Sequence, residues 1–224
     1  RTRYTRTTGI WQTVWVEPVS ELGVEKCQII PDLDQGKFDF IPAFYNLKQG
    51  NLLKITIKDK SKIVASKSFV PGSGQIYQIY IKDVKTWSPK DPFLYDIIYE
   101  LILSNGITID RIQTYAGMRK IHTEGNKFFL NNEPFYQRLV LDQGFYPEGI
   151  WTAPNDEALK NDIKLGMSAG FNGARLHQKV FEERYHYWAD KLGYITWGEA
   201  ASWGMDANNP IAARNFISEW TEVV

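Results

Sequence analysis

The arrangement of apolar and polar positions between residues 171 and 199 organises the reading of this chain. Residues 171–178 form a short run whose end is polar. The following segment carries apolar residues at the spacing of one helical face: Phe181, Tyr185, Trp188, Ala189 and Leu192. Gly193 supplies a C-terminal stop, and residues 194–197 are apolar again. The pattern predicts a strand, a helix and a second strand.

Two strands joined by a crossover helix of this length are expected to lie parallel. Their C-terminal ends then meet on one side of the sheet, which brings Arg175, His177 and Glu199 to a common rim. In barrels and open sheets of the α/β class, functional sites form at this rim.

Residues 19–116 have a different texture, with short runs in which apolar and polar positions alternate with a period of two. Ser104-Asn105-Gly106 is the strongest hairpin signal between two of these runs. The pattern predicts an antiparallel β-sandwich with a structural or interfacial role, or with a carbohydrate-binding face. The predicted strands are Val24–Ile30, Lys37–Asn46, Leu52–Lys58, Ile63–Phe69, Gln75–Ile81, Leu94–Leu103 and Ile107–Tyr115.

The pattern changes again near Gly117. A hairpin is predicted with its turn at Asn131-Asn132, and an apolar strand at 136–141 ends on Asp142 and Gln143. Helices are predicted to begin at Asn155 or Asp156 and at Asn209-Pro210. Together with the segment 171–199, these elements give three strand–helix units in succession, which is the expected start of a (β/α)8 barrel.

The first 18 residues alternate Arg with Thr or Tyr and then become rich in β-formers up to Pro18. We expect a strand here, and because a single strand cannot satisfy its own backbone, we expect it to belong to a separate domain.

Composition narrows the possible partners. Basic and acidic residues both number 26, which argues against a nucleic acid or a membrane surface as the partner. A single cysteine, Cys27, excludes an internal disulfide, and His122 and His186 lack metal-ligand spacing, so no metal or cofactor is expected. Aromatic residues make up 14% of the chain and include eight tryptophans, which is high for a soluble protein. Most are expected to lie in the core, and the remainder are candidates for sugar-stacking platforms. The compartment stays open.

Four stretches, taken in order, resemble glycoside hydrolase family 2, the β-galactosidases, β-glucuronidases and β-mannosidases. They resemble the end of the family's jelly roll, its sandwich signature, the start of its barrel and its second and third barrel strands. The stretches are Thr8–Pro18, Trp87–Tyr95, Gly117–Ile121 with Phe129–Pro134, and Phe171–Glu199.

The resemblance implies three domains: the terminal strand of a jelly roll at 1–18, an immunoglobulin-like sandwich at 19–116, and a partial TIM barrel at 117–224. It implies hydrolysis of β-glycosides with retention, which requires two carboxyl groups roughly 5 to 5.5 Å apart. In the family both come from later barrel strands. The chain is therefore expected to lack both catalytic carboxylates and to be inactive alone.

Carried over by position, Arg175 matches the second-strand arginine that lies near the family's nucleophile. Glu199 matches the third-strand acidic residue, with an ion pair to Arg175 as its alternative role. Asp142 and Gln143 match polar groups that the first strand delivers to the pocket, although Asp142 could equally cap a loop.

The chain also departs from the family pattern. Many members place a histidine three residues after the second-strand arginine, where this chain has Gln178, and His177 lies one position earlier. A shift of one residue can turn a side chain away from the pocket. His177 is therefore a sugar-binding candidate whose orientation is open, and Trp197 and Trp203 are stacking candidates.

Two other interpretations remain at this point. The chain could be a carbohydrate-binding or interaction module without catalysis, or Asp142 and Glu199 could themselves form a hydrolytic pair. In either case a partial barrel leaves a sheet edge and apolar helix faces uncovered, which favours self-association.

Overall fold

The computed structural model describes residues 8–202 and 204–223, and the chain divides into two compact units. One unit comprises Trp15–Tyr136, and the other comprises Gln137–Val224 together with the described part of Arg1–Val14. The architecture consists mostly of antiparallel β-sheets with three helices among the described residues. In chain order the elements are β1 Val24–Asp32, β2 Lys37–Phe44, β3 Leu52–Asp59, β4 Lys62–Phe69, β5 Tyr77–Tyr80, β6 Tyr95–Ile102, β7 Thr108–Ala116, β8 Ile121–Glu124, β9 Lys127–Leu130, β10 Glu133–Pro134, β11 Leu139–Asp142, α1 Asp156–Ser168, β12 Gly173–Leu176, α2 Glu183–Leu192, β13 Ile195–Gly198 and α3 Pro210–Val223.

Two antiparallel sheets, with strand orders β1-β2-β5 and β4-β3-β6-β7, share one hydrophobic core in the Trp15–Tyr136 unit. Alternate side chains of each strand face this core, as the period of two predicts. The seven predicted strands are confirmed, with ends that differ by up to two residues. The core side chains with no measurable exposure include Phe38, Phe40, Leu53, Ile55, Ile57, Ile97, Leu101 and Met118.

Both predicted hairpin turns are present in this unit. At the β6–β7 turn Gly106 has φ 86°, and its amide donates to the Leu103 carbonyl. Between β9 and β10, Asn131 and Asn132 have φ 54° and 66°, which is the backbone of a type I′ turn. The Asn131 side chain accepts from the Lys120 amide at 3.1 Å and donates to the Trp87 carbonyl at 2.9 Å. These bonds join the turn to the residue before β8 and to the segment between β5 and β6.

The other unit contains the parallel sheet β11-β12-β13, so the predicted parallel pairing is confirmed. Asn155 caps α1 through a bond from the Ala158 amide, and Gly193 ends α2 with φ 80°. The core of this unit lies between the sheet and the first two helices. Its members are Tyr146, Ala153, Leu159, Ile163, Ala174, Leu176, Phe181, Tyr185, Ala189 and Tyr194.

One feature differs from the expectation. Residues 8–18 contain no strand, because no strand in the described part of the chain pairs with their backbone; residues 1–7 lie outside the described residues. Helix α3 has the predicted position, and none of its described residues is buried. Ile211 and Ile217 of α3 are 65% and 64% exposed.

Candidate functional site

The C-terminal ends of the three parallel strands place polar side chains along one rim. The register pairs Leu141 with Arg175 and Arg175 with Trp197, so these residues occupy one face of the sheet. All three are roughly half exposed. The opposite face, which includes the fully buried Ala174 and Leu176, packs against the helices. The open face therefore presents a cation between two apolar side chains.

Arg175 and Glu199 form an ion pair at the rim, in which the arginine Nε donates to Oε1 of the carboxylate. The other carboxylate oxygen accepts from the Gln178 backbone amide at 3.1 Å. Glu199 thus links the end of β13 to the end of β12 by two hydrogen bonds. The pairing with Arg175 is the alternative that the sequence offered for Glu199.

Gln178 has a left-handed backbone, with φ 54°. A residue with a side chain adopts this conformation at a cost of about 1–2 kcal/mol, so the surrounding contacts must hold it in place. The turn directs the amide of Gln178 to Glu199, and it directs the next residue towards the interior of the unit.

Gln143 and His177 lie together at the rim. Gln143 Nε2 is 2.8 Å from His177 Nδ1, and the His177 backbone amide donates to the Asp142 carbonyl at 2.7 Å. Because an amide nitrogen can only donate, Nδ1 is the acceptor and the imidazole proton lies on Nε2. Two sequence-predicted candidates from different strands are therefore in direct contact.

The Asp142 carboxylate is engaged within the unit. One oxygen accepts from the Gly144 amide at 2.8 Å, and the other accepts from the Tyr185 hydroxyl at 3.3 Å. Burial, with a smaller effect of the Asp142 charge, raises the pKa of Tyr194 to about 12. The same two causes raise the pKa of Tyr185. The loop-capping geometry, one of the two roles considered for Asp142, is present.

Lys179 was not identified from the sequence as a site residue, although it lies directly beyond β12. Its side-chain nitrogen donates to the carbonyls of Gly144 and Trp151, at 2.8 Å each. The same nitrogen lies 4.7 Å from the ring centre of Trp11 and 4.8 Å from that of Phe181. Burial lowers the pKa of Lys179 to about 8. A lysine followed by Val180 and Phe181, three residues beyond the end of a strand, was the available signal.

Aromatic side chains surround this lysine. Trp11 and Trp151 make an edge-to-face contact with ring centres 5.5 Å apart. The Thr152 hydroxyl donates to the Trp11 carbonyl, and the Gln12 side chain donates to the Val180 carbonyl at 3.0 Å. Trp197 is exposed on the sheet face, and Trp203 lies outside the described residues.

A cavity of about 250 Å³ lies beside the rim. Its walls are mostly apolar, with the polar residues Lys179, His186 and Glu199 among them. The other lining residues are Leu176, Val180, Phe181, Gly198, Trp220 and Val223. Among the described residues, no group of three or more His, Cys, Asp or Glu side chains is placed to hold a metal ion. No helix in the described ranges is long and apolar enough to cross a membrane.

The chain thus combines a unit of two antiparallel sheets with a unit of parallel strands and helices. The strand ends of the second unit carry an arginine–carboxylate pair. A family model described as "Glycosyl hydrolases family 2" matches residues 24–119. The resemblance to glycoside hydrolase family 2 that the sequence motifs predicted is therefore confirmed.

The curated relatives of this chain include a β-galactosidase and a β-glucuronidase. The chain is 26% identical over 153 residues to a β-galactosidase of Pseudoalteromonas haloplanktis, covering 65% of this chain and 15% of that protein. It is 26% identical over 141 residues to a β-glucuronidase of Paenibacillus borealis, covering 62% of this chain and 23% of that protein. The chain thus spans less than a quarter of the length of these two relatives.

A solved structure shares the fold over most of the chain. The β-glucuronidase from Ruminococcus gnavus in complex with D-glucuronic acid superposes with a TM-score of 0.78 at 19% identity. The superposition covers 91% of this chain and 34% of that structure.

Proposed function

We propose that this chain is a section of a retaining β-glycoside hydrolase that acts on β-galactosides, β-glucuronides or β-mannosides. The observation that carries the proposal is the Arg175–Glu199 pair on the rim of a parallel sheet, in a chain that matches family 2. An arginine held by a carboxylate keeps its planar donors in a fixed direction, which suits recognition of a second carboxylate or of sugar hydroxyls.

The proposed domains are the end of a jelly roll at 1–18, an immunoglobulin-like sandwich at 19–116, and the first three βα units of a TIM barrel at 117–224. The two antiparallel sheets with one core support the sandwich. The parallel order β11-β12-β13 with helices on one face supports the barrel. Residues 8–18 contain no strand, so the jelly-roll part of the proposal rests on the resemblance of residues 8–18 to that domain.

The rim residues have distinct proposed roles. Arg175 orients the nucleophile, and Glu199 holds Arg175 in place. Gln143 and His177 contact sugar hydroxyls, with His177 Nε2 as donor. Trp197 and Trp203 offer rings for stacking against the sugar face.

Both catalytic carboxylates are proposed to lie outside residues 1–224. Retention needs an acid/base and a nucleophile at a separation of roughly 5 to 5.5 Å. The two carboxylates at the described rim are already committed: Asp142 to Gly144 and Tyr185, and Glu199 to Arg175 and Gln178. The chain alone is therefore expected to be inactive.

The test uses aryl β-galactosides, β-glucuronides and β-mannosides with two proteins, the 224-residue chain and the product of its complete reading frame. We expect no turnover by the chain, turnover of at least one substrate by the complete product, and a loss of at least 100-fold in the complete product on Arg175→Ala. Failure of the complete product on every substrate would favour a carbohydrate-binding module without catalysis. Turnover by the 224-residue chain that Asp142→Asn or Glu199→Gln abolishes would place the catalytic pair within it.

Self-association of the chain is proposed as well. Trp197 and Leu141 on the open sheet face and Ile211 and Ile217 on α3 are exposed. Such surfaces favour association. Sedimentation velocity is expected to show a concentration-dependent increase in mass, and a monomer at all concentrations would contradict the proposal.

A further inference from the structure

Lys179 is almost fully buried, at 4% exposure, in surroundings that contain few charges. Its side-chain nitrogen satisfies two main-chain carbonyls and faces the rings of Trp11, Trp151 and Phe181. Asp142 and Glu182 are the acidic groups whose charges act on it. Burying an ammonium without a directly bonded carboxylate is costly. The two hydrogen bonds to main-chain carbonyls offset part of this cost.

Those hydrogen bonds belong to a larger arrangement in which three consecutive residues tie the three strand ends together. We call residues 177–179 the clasp. His177 contacts Asp142 and Gln143 at the end of β11, and Gln178 donates its amide to Glu199 beyond β13. Lys179 reaches back to both ends of the loop at 144–151.

We propose that Lys179 is a positioning residue for the sugar-binding rim. By holding the carbonyls of Gly144 and Trp151, its ammonium fixes the loop that begins immediately after Gln143. Gln143 is thereby kept within hydrogen-bonding distance of His177, and the left-handed turn at Gln178 stays aimed at Glu199. That the rim binds sugar rests on the proposed function, whereas the positioning of Gln143 and His177 does not depend on it.

The charge and donors of Lys179, rather than its bulk, carry this role. Methionine matches the length of the lysine stem and would keep the contacts with Trp11 and Phe181. It would leave the carbonyls of Gly144 and Trp151 without the donor that satisfies them. Arginine keeps the charge and the donors and should restore part of the effect.

The experiment compares Lys179→Met and Lys179→Arg with a matched control, Lys160→Met. Lys160 also places its nitrogen over an aromatic ring, 4.1 Å from the centre of Trp188, and it lies in the same unit. It bonds to Glu157 rather than to the loop.

Amide hydrogen exchange of residues 144–152 and of Gln178 is the first measurement. We expect exchange at least tenfold faster in Lys179→Met, partial recovery in Lys179→Arg, and no change in Lys160→Met. The second measurement is the ¹⁵N spectrum of His177, which distinguishes the ring tautomers. The Nε2–H form is expected in the wild type and in Lys160→Met, and a tautomer mixture in Lys179→Met.

The third measurement is binding of D-glucuronic acid and D-galactose, followed by tryptophan fluorescence, and we expect at least tenfold weaker binding in Lys179→Met. Unchanged exchange and an unchanged His177 tautomer in folded Lys179→Met would overturn the positioning role. If these two readouts change as expected but the wild type binds neither sugar, the proposed function fails while the positioning role stands.

Should Lys179→Met fail to fold, Lys179→Gln provides the same test, because its amide still donates to one carbonyl. Faster exchange confined to residues 144–152 and Gln178 would support the proposal. Equally faster exchange throughout α1 and β12 would overturn it, since that pattern indicates only general destabilisation.

Discussion

The side-chain nitrogen of Lys179 lies 2.6 Å from the point where a Cβ atom on Gly144 would stand. Gly144 also has φ 59°, a conformation that disfavours residues with side chains. The ammonium can therefore approach the main chain this closely only because residue 144 has no side chain.

Gly144→Ala is expected to lower the free energy of unfolding by about 2–4 kcal/mol, from left-handed strain and displacement of Lys179. In a Lys179→Ala background the same change should cost measurably less, because the ammonium no longer occupies the space, although Phe181 still crowds it. Urea unfolding of the wild type, the two single variants and the double variant gives a double-mutant cycle. Additive effects, within about 0.5 kcal/mol, would contradict the contact.

The stability of the chain should depend on pH through Lys179. Burial lowers the pKa of this group from 10.5 to about 8. Between those values the unfolded chain binds a proton that the folded chain lacks, so the free energy of unfolding rises with pH. The stability gained in this way is lost as the pH falls towards 8. The stability of the wild type relative to Lys179→Met should rise by roughly 2 kcal/mol between pH 8 and pH 9.5.

Urea unfolding at intervals of half a pH unit measures this difference. The window ends below pH 10 because buried tyrosines such as Tyr194, whose pKa is raised, remove stability above that value. Lys160→Met, which removes another lysine of the same unit, serves as the control. A flat difference for Lys179→Met would mean that the ammonium does not lose its proton in this range.

Glu199 and Arg175 should differ in their contributions to stability although they form one ion pair. Arg175→Ala is expected to cost about 0–1 kcal/mol because the side chain is 44% exposed. Glu199→Ala also removes the acceptor of the Gln178 amide and should cost about 1–3 kcal/mol. Glu199→Gln keeps an oxygen for that amide and should fall between the two. Thermal unfolding of the three variants measures the order, and equal costs for both alanine variants would argue against the Gln178 contact.

The two asparagines of the β9–β10 turn are expected to respond in opposite ways to glycine. Asn131→Gly removes bonds to Lys120 and Trp87 and should cost about 1–3 kcal/mol. Asn132→Gly loses one exposed bond to Asp34 but gives the preferred Asn-Gly sequence of a type I′ turn. It should change stability by less than about 0.5 kcal/mol or increase it. Chemical denaturation compares the pair, and a larger loss for Asn132→Gly would refute this assignment.

Much of the fold was predictable because its signals are local. The strands around Phe38 and Ile55 follow a period of two, and α1 follows a helical period with a cap at Asn155. The meeting of Arg175 with Glu199 followed from the parallel order of the strands. None of these steps required knowledge of contacts distant in the sequence.

The features that were missed depend on contacts between distant residues. Of the three rings around Lys179, only Phe181 is near it in the sequence, whereas Trp11 and Trp151 are distant. The strand expected at residues 8–18 has the composition of a strand but no partner strand in the described structure, and pairing decides strand formation more than composition does. The left-handed backbone of Gln178 accompanies main-chain bonds from residues 177 and 178 to two different strand ends, and these contacts are not visible in the local sequence.

The clasp has a consequence for how sequences related to this chain can vary. Two of its contacts, the amides of His177 and Gln178, come from the main chain and place no demand on side-chain identity. A single inserted or deleted residue within 177–179 would shift Lys179 and both amides out of reach of their partners. Substitution of Gln178, whose contact comes from its main-chain amide, should therefore be tolerated far more often than a change of length within residues 177–179.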